Sequence, residues 1–412
     1  METTHLLFVQ WQLGLAMAIF QGLLVLGLGL AWMLAAWQWL LGTDSQAGQS
    51  KAYQSWLGVF SIVFRLVFSF GLVVLTLVAI NWPGLFERTG NVLGPILLGS
   101  VVVAFALKTT LFRVMLHEKG RASESAYTFS VLGVAFFYTA IVIGLVVMDV
   151  WLRTPVGASL IDGRYQVLDE RAILLNDQVG WQLLMTFLGA LLATVGWLLG
   201  RPRREQLLDK RHPHVGGALL NRLQQWLCFV GLVSGLLLVP LAAFAIRQWL
   251  PDGVSMFGLL LAQDLPFSIS LASSIRLVFA TRVFVVLLFL YLVLILCAYA
   301  NTRHEPIERG YRQRLPLGLL FLGPMLWASL WLLSYLSKGD DVVVGHLSFA
   351  DLVNTQASSS LWISAVFLLL AIVTACTGLW RSFFLELDSP EPAAAGGIKK
   401  KDTARSKPGV AA

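Results

Sequence analysis

The stretch QWQLGLAMAIFQGLLVLGLGLAWMLA, residues 10–35, contains no charged side chain. It lies within an apolar run at residues 9–41, which is too long to stand upright across about 30 Å of hydrocarbon at about 1.5 Å of rise per residue. We therefore predict a transmembrane helix that tilts or projects beyond the bilayer. No basic segment precedes the run and it exceeds the apolar core of a signal peptide, so we do not expect it to be cleaved.

The composition of the whole chain is also that of a membrane protein. Of its 412 residues, 57% are hydrophobic and 13% charged, and the mean hydropathy is +0.74. Soluble domains carry about 25% charged residues, so a soluble enzyme is excluded. The net charge is +7, but the cations lie between apolar runs, and membrane topology explains them better than a nucleic-acid partner does. Cys228, Cys297 and Cys376 lie inside apolar runs, without the spacing of a disulfide framework or a metal site.

Eight further apolar runs follow the first. The nine predicted spans are residues 9–41, 56–80, 92–116, 127–150, 179–199, 223–250, 276–298, 315–336 and 361–380. No run shows the alternation of apolar and polar residues that is typical of a strand in a membrane β-barrel. We therefore predict an all-α polytopic membrane protein with nine transmembrane helices. We expect a membrane domain at residues 1–388 with an ordered extracytoplasmic cap at 151–178, followed by a disordered, basic cytoplasmic tail at 389–412.

Lysine and arginine are shared unevenly between alternate polar breaks. If the N-terminus lies outside, the inward segments hold 20 of the 30 cations, the outward segments seven and the helices three. Because cytoplasmic segments carry the excess of Lys and Arg, we predict an external N-terminus and a cytoplasmic C-terminus.

Several segments, in their order and spacing, resemble subunit I of cytochrome bd-type quinol oxidases. They are the opening run, AINW at residues 79–82, AFALKTTLF at 104–112, WLRTPVGASLIDGR at 151–164 and FATRVFVVLLFL at 279–290. The likeness is closest over the first 200 residues and looser over the last 130. It implies a nine-helix bundle in the bacterial inner membrane, haem cofactors and quinol oxidation in a respiratory chain.

The resemblance also identifies the positions of the family's haem ligands, and each of them has changed. The family's first helix gives a histidine to a high-spin haem, and the matching residue here is Gln21. The third helix offers two glutamates eight residues apart, matched by Ser100 and Lys108. A histidine on the fifth helix and a methionine on the seventh hold the low-spin haem, matched by Met185 and Phe284. The long quinol-binding loop and the GRQPW-like motif are not recognisable either.

The histidines support the same interpretation without an alignment, because all six lie in polar breaks or at helix ends and haem iron is usually held by His, Cys, Met or Tyr. Met185 remains as a candidate ligand, with ordinary packing as the alternative. Lys108 could bind iron only after its ammonium group had lost a proton. Arg282 matches a family arginine beside the low-spin haem. The alternative to a retained role there is that its side chain extends to the membrane surface. We therefore expect no cofactor in this chain, and b- and d-type haems in a partner subunit.

Two of the three cations counted within helices lie deep in the predicted membrane spans. At 1.5 Å per residue, Arg65 and Lys108 are about 12–13 Å from the inner ends of their helices, where a charge costs about 2.5–3.5 kcal/mol. No Asp or Glu lies at matching depth. The cations either extend to the surface or meet an anion from outside the chain, such as a partner carboxylate, a haem propionate or an anionic lipid. Lys108 could also fill space left by a lost haem.

These observations predict a non-catalytic, haem-free membrane subunit of a cytochrome bd-like oxidoreductase complex. Its partner would be a homologous haem-bearing subunit I, in a heterodimer surrounded by membrane lipids. The alternative is a divergent oxidase subunit that binds its own b-type haem through Met185 and takes part in quinol-linked electron transfer. A transporter or channel ranks third, because the sequence shows no clear internal repeat.

Overall fold

The computed structural model describes residues 2–41, 51–117, 123–200, 213–249, 271–303, 315–336, 341–343, 347–348, 352 and 358–384. The predicted tail at 389–412 and most of the connection at 251–275 lie outside these residues. The described helices are α1 Glu2–Leu41, α2 Lys51–Asn81, α3 Pro83–Thr109, α4 Leu111–His117, α5 Glu124–Arg153, α6 Glu170–Leu174, α7 Asp177–Gly200, α8 Pro213–Trp249, α9 Leu271–Arg303, α10 Leu315–Leu336 and α11 Ser358–Phe384. The described strands are β1 Ala158–Ile161, β2 Arg164–Val167, β3 Asp341–Val343 and β4 Leu347–Ser348.

Every predicted apolar run coincides with a helix, and the third run covers parts of both α3 and α4. Within the described residues, seven helical segments are long and apolar enough to cross a membrane. Two shorter apolar segments, Phe321–Leu336 and Trp362–Gly378, lie in α10 and α11. The prediction of a mostly helical polytopic membrane protein is confirmed, whereas the number of crossings and the orientation stay predictions.

The prediction of an all-α fold missed two short antiparallel hairpins. In the first, β1 pairs with β2 from Ala158↔Val167 to Ile161↔Arg164. Asp162 and Gly163 connect the strands with φ of 50° and 76°. A two-residue turn with two positive φ angles matches the twist of a hairpin, and Asp-Gly is a preferred sequence for it. The second hairpin pairs β3 with β4.

The predicted boundaries of the second and third helices were wrong. A polar break was predicted at residues 81–91, but Trp82 alone separates α2 from α3. Pro83 begins α3 at a position where its missing N–H is not needed, so the polar residues that follow are helical. The third run then breaks at Thr110, whose backbone N–H donates to the Ala106 carbonyl oxygen at 3.0 Å before α4 begins.

The core of the bundle is built around α1, α7 and α10, which pack closely against one another. Glycines allow this approach. A Cβ atom added at Gly22 would lie 3.0 Å from the Pro324 carbonyl oxygen on α10. One added at Gly323 would lie 2.7 Å from the Ala193 Cα on α7. In contrast, only 22% of the apolar window that includes α3 is buried, so α3 lies at the edge of the bundle.

The hairpin β1–β2 is attached to the bundle where α5 ends, and we call this end of the bundle the hairpin end. Trp151 in the last turn of α5 is fully buried, and its ring packs edge-on against Tyr165 of β2 with centroids 5.1 Å apart. The Trp151 indole N–H donates to the Val156 carbonyl oxygen at 3.2 Å. The Asn91 side chain on α3 donates to the Tyr165 carbonyl oxygen at 3.2 Å. The hairpin is therefore fixed to both α3 and α5.

Candidate functional site

An apolar cavity of about 240 Å³ lies among α1, α2, α3, α5 and α10. Aliphatic and aromatic side chains form most of its wall, and its polar side chains include Ser100, Asp149 and Tyr335. The cavity extends between α2 and α3, which follow each other in the chain but share few contacts. It therefore lies where these two neighbouring helices are loosely packed.

Two positions predicted from the family's high-spin haem ligands lie on α1 and α3. Gln21 is half-buried on α1, directly before the close contact of Gly22 with α10. Ser100 is buried in the cavity wall, and its hydroxyl donates to the Ile96 carbonyl oxygen at 2.9 Å. A Cβ atom added at Gly144 on α5 would lie 2.6 Å from the Ser100 Oγ. Ser100 thus packs between α3 and α5, and its only proton is used within its own helix.

The structure places one of the two intramembrane cations against an aromatic side chain that lies one helical turn from the other. The Lys108 Nζ on α3 lies 4.7 Å from the centre of the Phe68 ring on α2. Arg65 is one helical turn before Phe68, so it shares that face of α2, and it donates to the Ser61 Oγ at 2.8 Å. Both cations are exposed on the chain surface. We call Arg65, Phe68 and Lys108 the cation patch.

Neither cation of the patch has a carboxylate partner within the described residues. There the ion pairs are Arg153–Asp149 and Arg164–Glu87. Phe68 also belongs to the cavity wall, so the ammonium of Lys108 lies next to one end of the cavity.

The positions predicted from the low-spin haem site lie elsewhere. Met185 on α7 and Phe284 on α9 are buried in the hydrophobic core, and Arg282 is exposed on α9. None of these three residues belongs to the cavity wall. The roles suggested for them toward a haem stay predictions.

Sequence reasoning missed a buried ion pair at the hairpin end. Arg153 falls within the predicted extracytoplasmic cap, but it lies in the last turn of α5, and its Nη2 is 3.1 Å from Asp149 Oδ2. The two side chains are 7% and 13% exposed. Arg153 also donates to the Ser334 carbonyl oxygen at 3.4 Å and to the Ser334 hydroxyl on α10. The spacing of four residues between Asp149 and Arg153 was a signal that could have revealed the pair.

A second set of polar contacts joins α1 to the C-terminal half of the chain. Arg276 on α9 donates to the Gln10 Oε1 at 3.2 Å, and Ser364 on α11 donates to the Gln12 Oε1 at 2.9 Å. These partners are 266 and 352 residues apart in the chain, so no local sequence pattern could have paired them.

The described architecture is that of an integral-membrane protein built from long apolar helices. The chain is similar to the structure of bd oxidase from Geobacillus thermodenitrificans, with a TM-score of 0.69 and 13% identity over 92% of this chain and 98% of that one. The family model of cytochrome bd terminal oxidase subunit I matches residues 8–250, more than half of the sequence. This chain belongs to the cytochrome bd terminal oxidase subunit I family, and it is a multi-pass protein of the bacterial inner membrane. No curated protein matches its sequence.

Because the family normally binds haem, the donor atoms of the cavity wall show whether it suits one. Iron in haem is usually held by His, Cys, Met or Tyr, and the wall contains no His or Cys. The Tyr335 hydroxyl donates to the Gln10 carbonyl oxygen at 3.4 Å, and Asp149 pairs with Arg153. The uncharged thioethers of Met17 and Met148 remain as possible iron ligands. The wall therefore lacks the histidine and the glutamates that hold the family's high-spin haems, and it does not fit such a haem.

Proposed function

We propose that this chain is a haem-free subunit of a bd-type oxidase complex and that it pairs with a homologous, haem-bearing subunit. The family fold extends along nearly the whole chain, while the positions that match the haem ligands carry Gln21, Ser100, Lys108, Met185 and Phe284. The observation that carries the proposal is Ser100. Ser100 is at a position that matches a family glutamate, but its short side chain is buried beside an apolar cavity. Its hydroxyl donates to a backbone carbonyl oxygen of its own helix.

The cation patch is the contact surface that we propose for the partner. Lys108 and Arg65 lack carboxylates within the described residues, and the sequence has no Asp or Glu at their predicted depth. A second copy of this chain would add the same two positive charges to the interface. A different membrane subunit with a carboxylate at the depth of Phe68 would neutralise them, so charge complementarity favours a heterodimer over a homodimer.

The surface around Lys108 suits such a contact. Leu98, Val102 and Phe105 are exposed at spacings of four and three residues on α3, so they form one stripe that leads to Lys108. A partner helix on this stripe would bury apolar side chains together with the cation patch. In this role the chain shields the partner's haem-side helices from lipid and excludes water from them.

The experiment that tests the proposal locates the haem. The complex is purified from its native membrane through a tag on this chain, and its subunits are identified by mass spectrometry. Met17, Met148 and Met185 are replaced by Leu, with Met325→Leu as the control, because Met325 is exposed and outside the cavity wall. We expect the haem content and the Soret band of the complex to be the same in all variants.

Two results would contradict the proposal. One is loss of a Soret component in a Met17, Met148 or Met185 variant but not in Met325→Leu, which would support the alternative of a haem bound by this chain. The other is stoichiometric haem, measured as the pyridine haemochrome, in this polypeptide purified without its partner.

A further inference from the structure

The exposed face of α3 continues beyond the apolar stripe, toward the hairpin β1–β2. Exposed residues recur along it at spacings of three or four, and they are Glu87, Asn91, Pro95, Leu98, Val102 and Phe105. Residues at these spacings lie on one face of a helix. At 1.5 Å of rise per residue, this face extends for about 27 Å.

Two polar side chains on the exposed face of α3 hold the hairpin. The Asn91 amide donates to the Tyr165 carbonyl oxygen at 3.2 Å, and the Arg164 Nη2 donates to the Glu87 Oε1 at 3.2 Å. The Arg164 and Glu87 side chains are 62% and 66% exposed. The hairpin is therefore attached to the same face of α3 that carries the apolar stripe.

The two faces of the hairpin have different surroundings, because side chains alternate between the faces of a strand. Tyr165 and its pairing partner Leu160 share the face from which Tyr165 packs against the bundle. The opposite face, which we call the outer face, carries Ser159, Ile161, Arg164 and Gln166. Since an ion pair joins Arg164 to Glu87, the outer face and the exposed face of α3 form one continuous surface.

This continuous surface has the composition of a protein interface. Its middle is apolar, at Leu98, Val102 and Phe105, and its two ends are polar, at the cation patch and at the outer face of the hairpin. Protein interfaces combine an apolar centre with a polar rim in this way. Lipid tails would match only the middle, whereas the Arg164 guanidinium has further N–H donors to offer beyond the one directed at Glu87.

We propose that the outer face of the hairpin binds an extramembranous segment of the same haem-bearing subunit that packs against α3. This inference rests on the proposed function and adds a second contact to it, outside the apolar spans. Ile161 supplies an apolar contact, and Arg164 donates to a carboxylate or backbone carbonyl oxygen of the partner. A helix on the apolar stripe alone could slide along α3, and the hairpin contact fixes its position.

Two neighbouring residues of β1 provide a matched test. Ile161 and Leu160 are 40% and 44% exposed, and they lie on opposite faces of the hairpin. Ile161, Leu160 and the exposed Val102 on α3 are each replaced by the photo-crosslinking amino acid p-benzoylphenylalanine. The complex is irradiated in its native membrane and purified through the tag, and the adducts are identified by mass spectrometry. We expect the haem-bearing subunit to be crosslinked at Ile161 and Val102, and several-fold less at Leu160.

The crosslinking pattern separates failure of this inference from failure of the proposed function. Adducts with the haem-bearing subunit at Val102 but not at Ile161 would overturn this inference alone. Equal yields at Ile161 and Leu160, or adducts of Ile161 with a different protein, would do the same. Adducts of Val102 with lipid and with no protein would reject the proposed contact surface and this inference together.

Discussion

The Nζ atom of Lys108 lies 4.7 Å from the centre of the Phe68 ring, so the last turn of α3 places a cation against an aromatic side chain of α2. A cation–π contact contributes about 0.5–1 kcal/mol at an exposed site and about 2 kcal/mol when desolvated. An intramembrane cation costs about 2.5–3.5 kcal/mol. Phe68 therefore offsets only part of that cost, and the remainder favours an anion from outside the chain.

Removing the cation patch should weaken the association of the two subunits. In the double variant Arg65→Leu with Lys108→Met, the partner's carboxylate would lose its counter-charges, and a buried charge without its partner is costly. We expect the amount of haem-bearing subunit that co-purifies with the tagged chain to fall several-fold, with the level of the chain itself maintained.

Arg113→Leu is the matched control, because Arg113 is an exposed cation on α4 outside the patch. It should leave the yield of the partner unchanged. If the double variant retains its partner but loses bound anionic phospholipid, the anion is a lipid, and the proposed contact with a carboxylate is wrong.

The sequence predicted those parts of the fold that depend on long apolar runs, and missed those set by single residues or distant contacts. The run at 9–41 has no competing pattern, and it forms α1. The connection at Trp82 depends on how Pro83 begins a helix, and the break at Thr110 depends on local backbone bonding. Hydropathy alone contains neither feature.

The candidate site, like the fold, was predicted only in part. Lys108 and Arg65 were found because charges are rare in apolar runs, but the contact of Lys108 with Phe68 depends on how α2 and α3 are placed relative to each other. The cavity could not be predicted, because it results from loose packing between helices of ordinary apolar composition. The contact of Gln10 with Arg276 spans 266 residues of sequence, which no local pattern encodes.

Alkaline pH should destabilise the attachment of the hairpin through Tyr165. Burial raises the pKa of the Tyr165 phenol above its ordinary value of 10.0, so the folded state favours the neutral form. This contribution to stability is fully present below the pKa of the unfolded chain, about 10, and is lost as the pH rises through the higher folded pKa. Melting temperatures of the wild type and Tyr165→Phe in detergent measure the effect.

The difference in melting temperature between these two proteins should stay constant from neutral pH to about pH 9 and change against the wild type above about pH 10. The other tyrosines are present in both proteins, so their titration largely cancels. A difference that stays constant through the alkaline range would show that Tyr165 does not contribute to the pH dependence.

Gly323→Ala should disrupt the contact of α10 with α7. The new Cβ atom would lie 2.7 Å from both the Ala193 Cα and the Leu192 carbonyl oxygen, and backbone atoms cannot turn aside as a flexible side chain can. Overpacking costs about 1–3 kcal/mol, so we expect a lower melting temperature and less folded protein in detergent. Gly180→Ala on α7 is the control, since its Cβ would meet no atom within 4 Å. Equal effects of the two substitutions would contradict this account of the helix contact.

Among the single substitutions proposed at the hairpin end, Asp149→Asn should lower the stability of the protein most. It leaves the Arg153 guanidinium charged and mostly buried, and breaking a buried pair on one side costs about 3–5 kcal/mol. Replacing both partners, as Asp149→Leu with Arg153→Met, removes the unpaired charge and should restore much of the melting temperature. Glu87→Gln breaks the exposed pair with Arg164 and should change stability by less than about 1 kcal/mol. If the double variant melts no higher than Asp149→Asn, the cost lies in lost bonds such as those to Ser334 rather than in an unpaired charge.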